Sequence, residues 1–394
     1  MDLSLLADWI RMKTQDFWKL GVYMKSLIII GSGILGASTA YHAAKAGASV
    51  TLIDRGDKGQ ATGAAAGIVC PWISQRRNKA WYGLAKSGAK YYPELIRELE
   101  ALGETDTGYK QVGIVSIHEE SKLDKMEQKA YERRVDAPEM GDIKRLSSKE
   151  TIALFPYATE EYGALWVSGA ARVDGKAIRD ALISSAVKLG AERLTGDAEL
   201  FVENSQVVGV LVEGQKIYAD RVISTGGAWA ADLFKPLELD LDIVPQKAQI
   251  LQLQADEQST GDWPVAMVPY GQYIVPFANG RIVAGATHEN GVGFDDKLTA
   301  GGIHHILDKT LEAAPGLGQT EMAGAATGFR PATTSALPFI GQVPGYENFY
   351  VANGLGASGL TAGPYLGGQL AKLALGELVD IDLSLYQVED AFRS

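Results

Sequence analysis

The sequence predicts an α/β protein in which a βαβ-type domain is interrupted by an α+β domain built on an antiparallel sheet. Three observations carry this. An apolar run at residues 27–30 leads into Gly31-Ser-Gly33-Ile-Leu-Gly36, then an alanine-rich helical pattern, then a second apolar run at 50–53 that closes on Asp54. Residues 242–290 alternate apolar and polar side chains, as half-buried strands do. A second glycine-rich loop, residues 354–363, again runs into a helical pattern.

In the first unit each residue has a reason. Gly31 permits the tight turn after the strand, Gly33 lets phosphates approach the backbone, and Gly36 lets helix pack on strand. Ile34 and Leu35 open the helix, whose N-terminus offers free N–H groups and a positive dipole end to a pyrophosphate. Asp54, followed by Arg55, lies 18 residues beyond Gly36, where a carboxylate accepts hydrogen bonds from a ribose diol. Together they predict a Rossmann-like dinucleotide site.

Further along, residues 59–67 form a small-residue loop. Residues 78–102 show helical spacing through Trp81, Leu84, Tyr92, Leu95, Ile96 and Leu99, with Pro93 expected to start or kink a helix. Residues 113–118 read as a strand, 121–134 as charged helices, and Ser147-Ser-Lys-Glu150 as a capping box. Residues 174–189 form an amphipathic helix closed by Gly190. Short strands follow to Thr225, which meets Gly226-Gly227. Asn279-Gly280, between strand-like runs at 273–277 and 281–285, is a hairpin signal. A helix near 299–313 is next, then Gly328-Phe-Arg-Pro331, a strand at 349–352 and a final helix ending near Gly376. No internal repeat or low-complexity linker occurs.

The chain has 394 residues, 46% hydrophobic and 22% charged, a soluble globular composition long enough for two or three domains. Its net charge of −11 and lack of a long basic run argue against nucleic acid as the main partner. Cys70 is the only cysteine, which excludes an intrachain disulfide and favours a cytoplasmic address. No stretch reads as a transmembrane helix. Residues 1–23 combine loose helical spacing with cancelling charges, unlike a secretory signal or a basic membrane-surface helix, and are expected to be a dispensable extension before Met24. His42 and the pair His304-His305 lie in helical patterns and are expected to be packed or solvated. No metal-ligand spacing occurs.

A glycine-rich βαβ unit alone does not separate NAD from FAD. The second loop supplies a second helix N-terminus, suited to the N1–C2 side of an isoalloxazine, which gains negative charge on reduction. Several segments spread over residues 24–378 then resemble the D-amino-acid oxidase and glycine oxidase family of FAD-dependent oxidoreductases. The Gly31 to Gly36 turn with Asp54-Arg55 is similar to the family's ADP-binding start. Ala61-Thr62-Gly63-Ala64-Ala65-Ala66-Gly67-Ile68 resembles the segment that passes the flavin ring. Thr225-Gly226-Gly227-Ala228-Trp229 resembles a strand-end motif near the ADP portion. Tyr273-Ile-Val-Pro276 with Gly285-Ala-Thr287 resembles the substrate-domain hairpin, and Gly328-Phe-Arg330-Pro331 with Leu337-Pro338-Phe-Ile-Gly341 the substrate-site motif.

The resemblance implies a GR2-type FAD-binding domain of residues 24–84, 146–230 and 326–394, and a substrate domain of residues 85–145 and 231–325. It implies noncovalent FAD, because no cysteine follows Arg330 where covalently flavinylated sarcosine oxidases carry one. Arg330 would clamp a substrate carboxylate through two parallel charge-assisted bonds, with help from the Tyr273 hydroxyl. That would aim the substrate Cα–H at flavin N5 for hydride transfer. Tyr270 is a looser candidate for a lid contact. Thr62 would donate a hydrogen bond to the ring while Ala61, Ala66, Gly67 and Ile68 let the backbone approach it. Backbone N–H groups of Gly356, Ala357, Ser358, Gly359, Leu360 and Thr361 would line the pyrimidine side, and Ala198 would contact adenine. Glycine oxidase has a second arginine where this chain has Ala357, which loosens the assignment of glycine as substrate.

The expected reaction is oxidation of the CH–N bond of a small amino acid: a D-amino acid, glycine or an N-methyl amino acid. The imine would hydrolyse to a 2-oxo acid and ammonia or amine, with electrons passing to O2 or a respiratory acceptor. The alternatives are oxidation of a CH–OH bond in a 2-hydroxy acid, a D-amino-acid dehydrogenase that does not use O2, and a domain modifying tRNA or protein, which the acidic charge disfavours. Oligomeric state is left open.

Overall fold

The computed structural model describes residues 24–256 and 258–393; the extension expected at residues 1–23 lies outside them. A six-stranded sheet runs Phe339–Gln342, Phe349–Asn353, Arg221–Ser224, Ser26–Ile30, Ser49–Asp54, Glu192–Thr195, parallel except at its Phe339–Gln342 edge. The central strand is apolar because both faces are covered. Leu27 and Ile29 join a core with the helices Ile34–Lys45, Lys79–Ala101, Gly175–Lys188 and Gly359–Leu375. Ile28 points the other way, into a core with Val207 and Val210 of a three-stranded antiparallel sheet.

The second large sheet has eight strands, ordered Glu321–Ala332, Val244–Gln254, Arg281–Gly285, Tyr273–Pro276, Val265–Met267, Ile114–His118, Gly163–Val167, Ile143–Leu146. It is antiparallel, as the alternation predicts, apart from the parallel pairing of Val265–Met267 with Ile114–His118. Asn279 and Gly280 both take positive φ, 59° and 79°, and close the hairpin as a type I′ turn. Helix Ala300–Ala313 packs on this sheet through Ile306 and Ala313. The capping box at Ser147 and Glu150 is formed in both directions.

Some elements differ from expectation. Pro93 neither starts a helix nor divides one: Lys79–Ala101 is continuous, and Pro93 sits on its exposed side. Burial of Trp81, Leu84, Tyr92, Leu95 and Leu99 outweighs the roughly 3 kcal/mol cost of an interior proline. Residues 120–134 form a single helix. The Gly328-Phe-Arg-Pro331 motif belongs to a 12-residue strand, because Val244–Gln254 offers it a partner along its length. Strand Gly163–Val167 sits in the eight-stranded sheet, while helix Lys79–Ala101 packs beside the last helix. We propose a domain division that follows the two sheets, assigning that strand to the substrate half and that helix to the nucleotide half. Among the described residues, no helix is long and apolar enough to cross a membrane.

Candidate active site

A cavity of about 860 Å³ is lined from both large sheets. At the nucleotide end Gly31 has φ +100°, and a Cβ there would lie 2.6 Å from the Thr225 carbonyl oxygen, so glycine is required. The N–H and hydroxyl of Thr225 donate to the Ile30 carbonyl at 2.8 and 2.9 Å and close the turn. Gly36 stands behind the cavity wall, where its expected role is helix packing. A Cβ on Gly36 would lie 1.8 Å from the Gly31 carbonyl oxygen, so this glycine lets the helix sit against the turn. Gly33, Ile34 and Leu35 do line it. Gly33 supplies no side-chain cap and the first turn has no acidic residue, so the positive helix end faces the cavity.

Asp54 is fixed at the cavity wall by the N–H groups of Ser32 (2.6 Å) and Gly56 (2.7 Å) and the Gln60 side chain (2.9 Å). Arg55 pairs with Asp57 at 2.6 Å and Asp197 at 3.0 Å, and these carboxylates raise its pKa. Ala198, Thr225 and Gly226 complete this end.

Along the middle, Ala61–Ala64 make one tight turn, and Ala61, Thr62, Ala66, Gly67 and Ile68 all reach the wall. Gly67, at φ +86°, packs so closely that a Cβ would lie 1.8 Å from the Val173 carbonyl oxygen. The Thr62 hydroxyl, expected to donate toward a ring, accepts the Ile34 N–H at 3.0 Å and so provides the bond that Gly33 cannot. From the opposite side come Gly356, Ala357, Ser358, Gly359, Leu360 and Thr361. The helix they open also lacks a side-chain cap. The Ser358 hydroxyl is taken by the Trp81 indole N–H (2.7 Å), and the Thr361 hydroxyl donates to the Ile68 carbonyl (2.9 Å). Two helix N-termini, neither capped by its own N-cap side chain, therefore open on one cavity. That donor set suits the pyrophosphate and the carbonyl edge of an FAD, and the residues fit this cofactor.

At the end lined by the eight-stranded sheet, Arg330 donates through Nη1 to His288 Nδ1 (2.9 Å), Gln246 Oε1 (3.3 Å) and the Thr287 carbonyl (3.5 Å). Tyr273 lies against it. Burial pushes the Tyr273 hydroxyl up to about 12, with Arg330 opposing that rise, and burial likewise lowers the pKa of Arg330. Gly285, opposite Tyr273 in the hairpin, leaves room for the phenol: a Cβ there would lie 2.9 Å from its oxygen. Tyr270 does not reach the cavity. It is 66% exposed, with its hydroxyl toward Glu312 (3.3 Å) and Lys309 over its ring.

Arg76, His118 and His288 also line this end, and the sequence pattern did not mark them. His288 follows directly on the Gly285-Ala-Thr287 motif, which was its one available signal. The His118 Nδ1 is buried with no hydrogen-bond partner among the described residues. Behind the wall, Lys247 is 1% exposed and faces Glu289 at 3.6 Å, while Thr287 and Gln249 donate to the same carboxylate at 2.6 and 2.7 Å. His42 is packed between helices, and His304 and His305 are exposed.

Residues 26–373 match the family described as FAD dependent oxidoreductase (DAO). The chain is 57% identical over 365 residues to an uncharacterized oxidoreductase of Bacillus subtilis (strain 168), covering 92% of this chain and 98% of that one. Iminodiacetate oxidase from Chelativorans sp. BNC1 has a similar structure, with a TM-score of 0.89 at 40% identity over 92% of this chain and 98% of that one. Glycine oxidase from Geobacillus kaustophilus matches with a TM-score of 0.80 at 25% identity over 93% and 99%.

Proposed function

The chain belongs to the DAO family of FAD-dependent oxidoreductases, and from that premise we propose that it oxidises the CH–N bond of a small carboxylated amine to a 2-oxo acid and ammonia or amine. The observation that carries this is Arg330 beside Tyr273 at the sheet end of a cavity whose other end is a dinucleotide turn. Three acceptors gather on Nη1 of Arg330 and the Tyr273 hydroxyl also bonds the guanidinium, so the N–H groups that remain are available to a substrate carboxylate. The Tyr273 hydroxyl, kept protonated by burial, adds a donor. The same positive charge disfavours an ammonium, so the substrate nitrogen is held as the free amine that oxidation requires. FAD, when bound, supplies the two-electron acceptor. Relatives named as glycine oxidase and iminodiacetate oxidase support an amine substrate.

Cys70 lines the cavity, and burial pushes its thiol up to about 12. A protonated thiol is a poor nucleophile, which supports FAD held without a covalent bond. Acid precipitation should release the yellow colour into the supernatant. Anaerobic mixing of the purified protein with D-amino acids, glycine, N-methyl amino acids, dicarboxylated amines and 2-hydroxy acids tests the reaction itself. Bleaching of the visible flavin band by an amine is expected. Bleaching by hydroxy acids alone would move the reaction to CH–OH chemistry, and no bleaching by any carboxylated amine would overturn the assignment. Repeating the turnover with and without oxygen tests whether O2 or a respiratory carrier accepts the electrons.

A further inference from the structure

The substrate end of the cavity holds more positive charge than one carboxylate needs. Arg76 and His288 line it beside Arg330. Arg76 is exposed at the cavity mouth, its guanidinium 4.8 Å over the Trp81 ring, and it makes no ion pair among the described residues. Its position is built rather than incidental. Trp81 is pinned to Ser358 at 2.7 Å. The segment carrying Arg76 is held from behind by Arg133, which donates to the carbonyls of Trp72 and Ser74, and by Lys129, 3.4 Å from the latter. Arg76 is also near enough to Arg330 and His288 to disfavour the protonated form of each. His288 accepts at Nδ1 from Arg330, which leaves its Nε2–H as a donor.

Among the described residues, no carboxylate on the cavity wall balances these groups. The acidic residues on the cavity wall are Asp54, Asp57, Asp197, Glu199 and Asp232, all from the nucleotide half. The eight-stranded sheet and the segment at 70–76 contribute none. Glu289, next to His288, is engaged by Lys247, Gln249 and Thr287.

We infer that the substrate is an amine bearing two carboxylates, one held by Arg330 with Tyr273 and the second by Arg76 with His288. This rests on the amine-oxidising function proposed above. The second carboxylate stands either on the nitrogen substituent or on the side chain. In the first case the C–H and N–H of an N-substituted glycine are lost with two electrons, which FAD takes up. Water then adds to the resulting imine, and the C–N bond breaks to give a 2-oxo acid and a primary amine that keeps the other carboxylate.

The experiment uses the full-length chain loaded with FAD. Two thioethers that cannot be oxidised at nitrogen, thiodiacetate with two carboxylates and methylthioacetate with one, are titrated while the visible flavin spectrum is followed. Thiodiacetate should bind about tenfold tighter or more, the worth of one charge-assisted contact at a partly hydrated site. Arg76→Ala should erase most of that advantage and Arg76→Lys should restore part of it. Equal affinity for the two thioethers, or equal weakening of both by Arg76→Ala, would overturn the second site. Comparing kcat/KM for iminodiacetate against N-methylglycine, and for the aspartate enantiomers against the alanine enantiomers, then locates the second carboxylate. If thiodiacetate is preferred but no amine reduces the flavin, the anion site stands and the oxidase function falls.

Discussion

Arg330 is anchored on one nitrogen by three acceptors, so its direction is set before any substrate arrives. Arg330→Ala should therefore leave FAD content unchanged, because the nucleotide turn is built from other residues, while KM for the amine rises by roughly 30- to 100-fold. Arg330→Lys should recover only part, since an ammonium lacks the planar fork. Steady-state kinetics with the ratio of visible to protein absorbance checks both claims, and an unaltered KM would remove Arg330 from the site. Lys247 acts one layer back. Its ion pair with Glu289 holds residues 287–289, which carry two of the acceptors for Arg330. Lys247→Ala leaves Glu289 uncompensated and should cost on the order of 2–3 kcal/mol, near the low end for a broken buried pair because Glu289 is partly hydrated. Chemical denaturation of the two proteins measures this, and a loss below about 0.5 kcal/mol would mean the pair is structurally idle.

At the scale of elements, the legible parts were those whose cause is local. The Gly31 to Gly36 turn, the capping box at Ser147 and the Asn279-Gly280 hairpin each follow from backbone constraints on a few consecutive residues. What escaped depends on partners far away in the chain. Residues 321–327, rich in Ala and Gly, have little strand propensity of their own and become strand only beside Val244–Gln254. Arg330 was legible through its motif, whereas Arg76 reaches the same cavity from an irregular segment with no spacing to mark it. His42 was expected to be packed or solvated, and its packing has a consequence for stability. Its Nε2 meets the Tyr91 hydroxyl at 2.7 Å and its Nδ1 meets the Ser38 carbonyl at 2.7 Å, joining the first helix to Lys79–Ala101. Burial pulls its pKa from 6.5 down to about 4. A folded pKa below the unfolded one means that His42 favours the fold fully above pH 6.5. That contribution is lost as pH falls toward 4, where the unfolded chain binds a proton that the folded chain refuses. The slope from this one group is at most about 1.4 kcal/mol per pH unit. His42→Gln should flatten the pH dependence of unfolding in that window relative to the wild type; parallel curves for the two proteins would show that the ring titrates normally.

At the scale of the whole molecule, the cavity is where the two large sheets meet, and its walls include residues separated by most of the chain, from Gly31 to Thr361. A ligand that fills it stabilises the fold by mass action, because the unfolded chain has no such site. At a hundredfold excess over Kd this contributes about 2.7 kcal/mol. For a chain of this size that corresponds to a rise of roughly 3 °C in Tm. Protein stripped of FAD should therefore melt lower, with Tm climbing as FAD is added. ADP separates the two ends of the cavity. It can satisfy Asp54 and the first helix N-terminus but leaves the Gly359–Leu375 helix end and the Arg330 wall uncovered, so at equal saturation it should restore the cohesion of the nucleotide half alone. Differential scanning calorimetry should then show one transition for the FAD-loaded protein and, with ADP, a lower first transition assigned to the eight-stranded half. If ADP restored a single transition at the same temperature as FAD, the isoalloxazine end would contribute nothing to joining the halves. The two helix N-termini would then not be acting on one bound molecule.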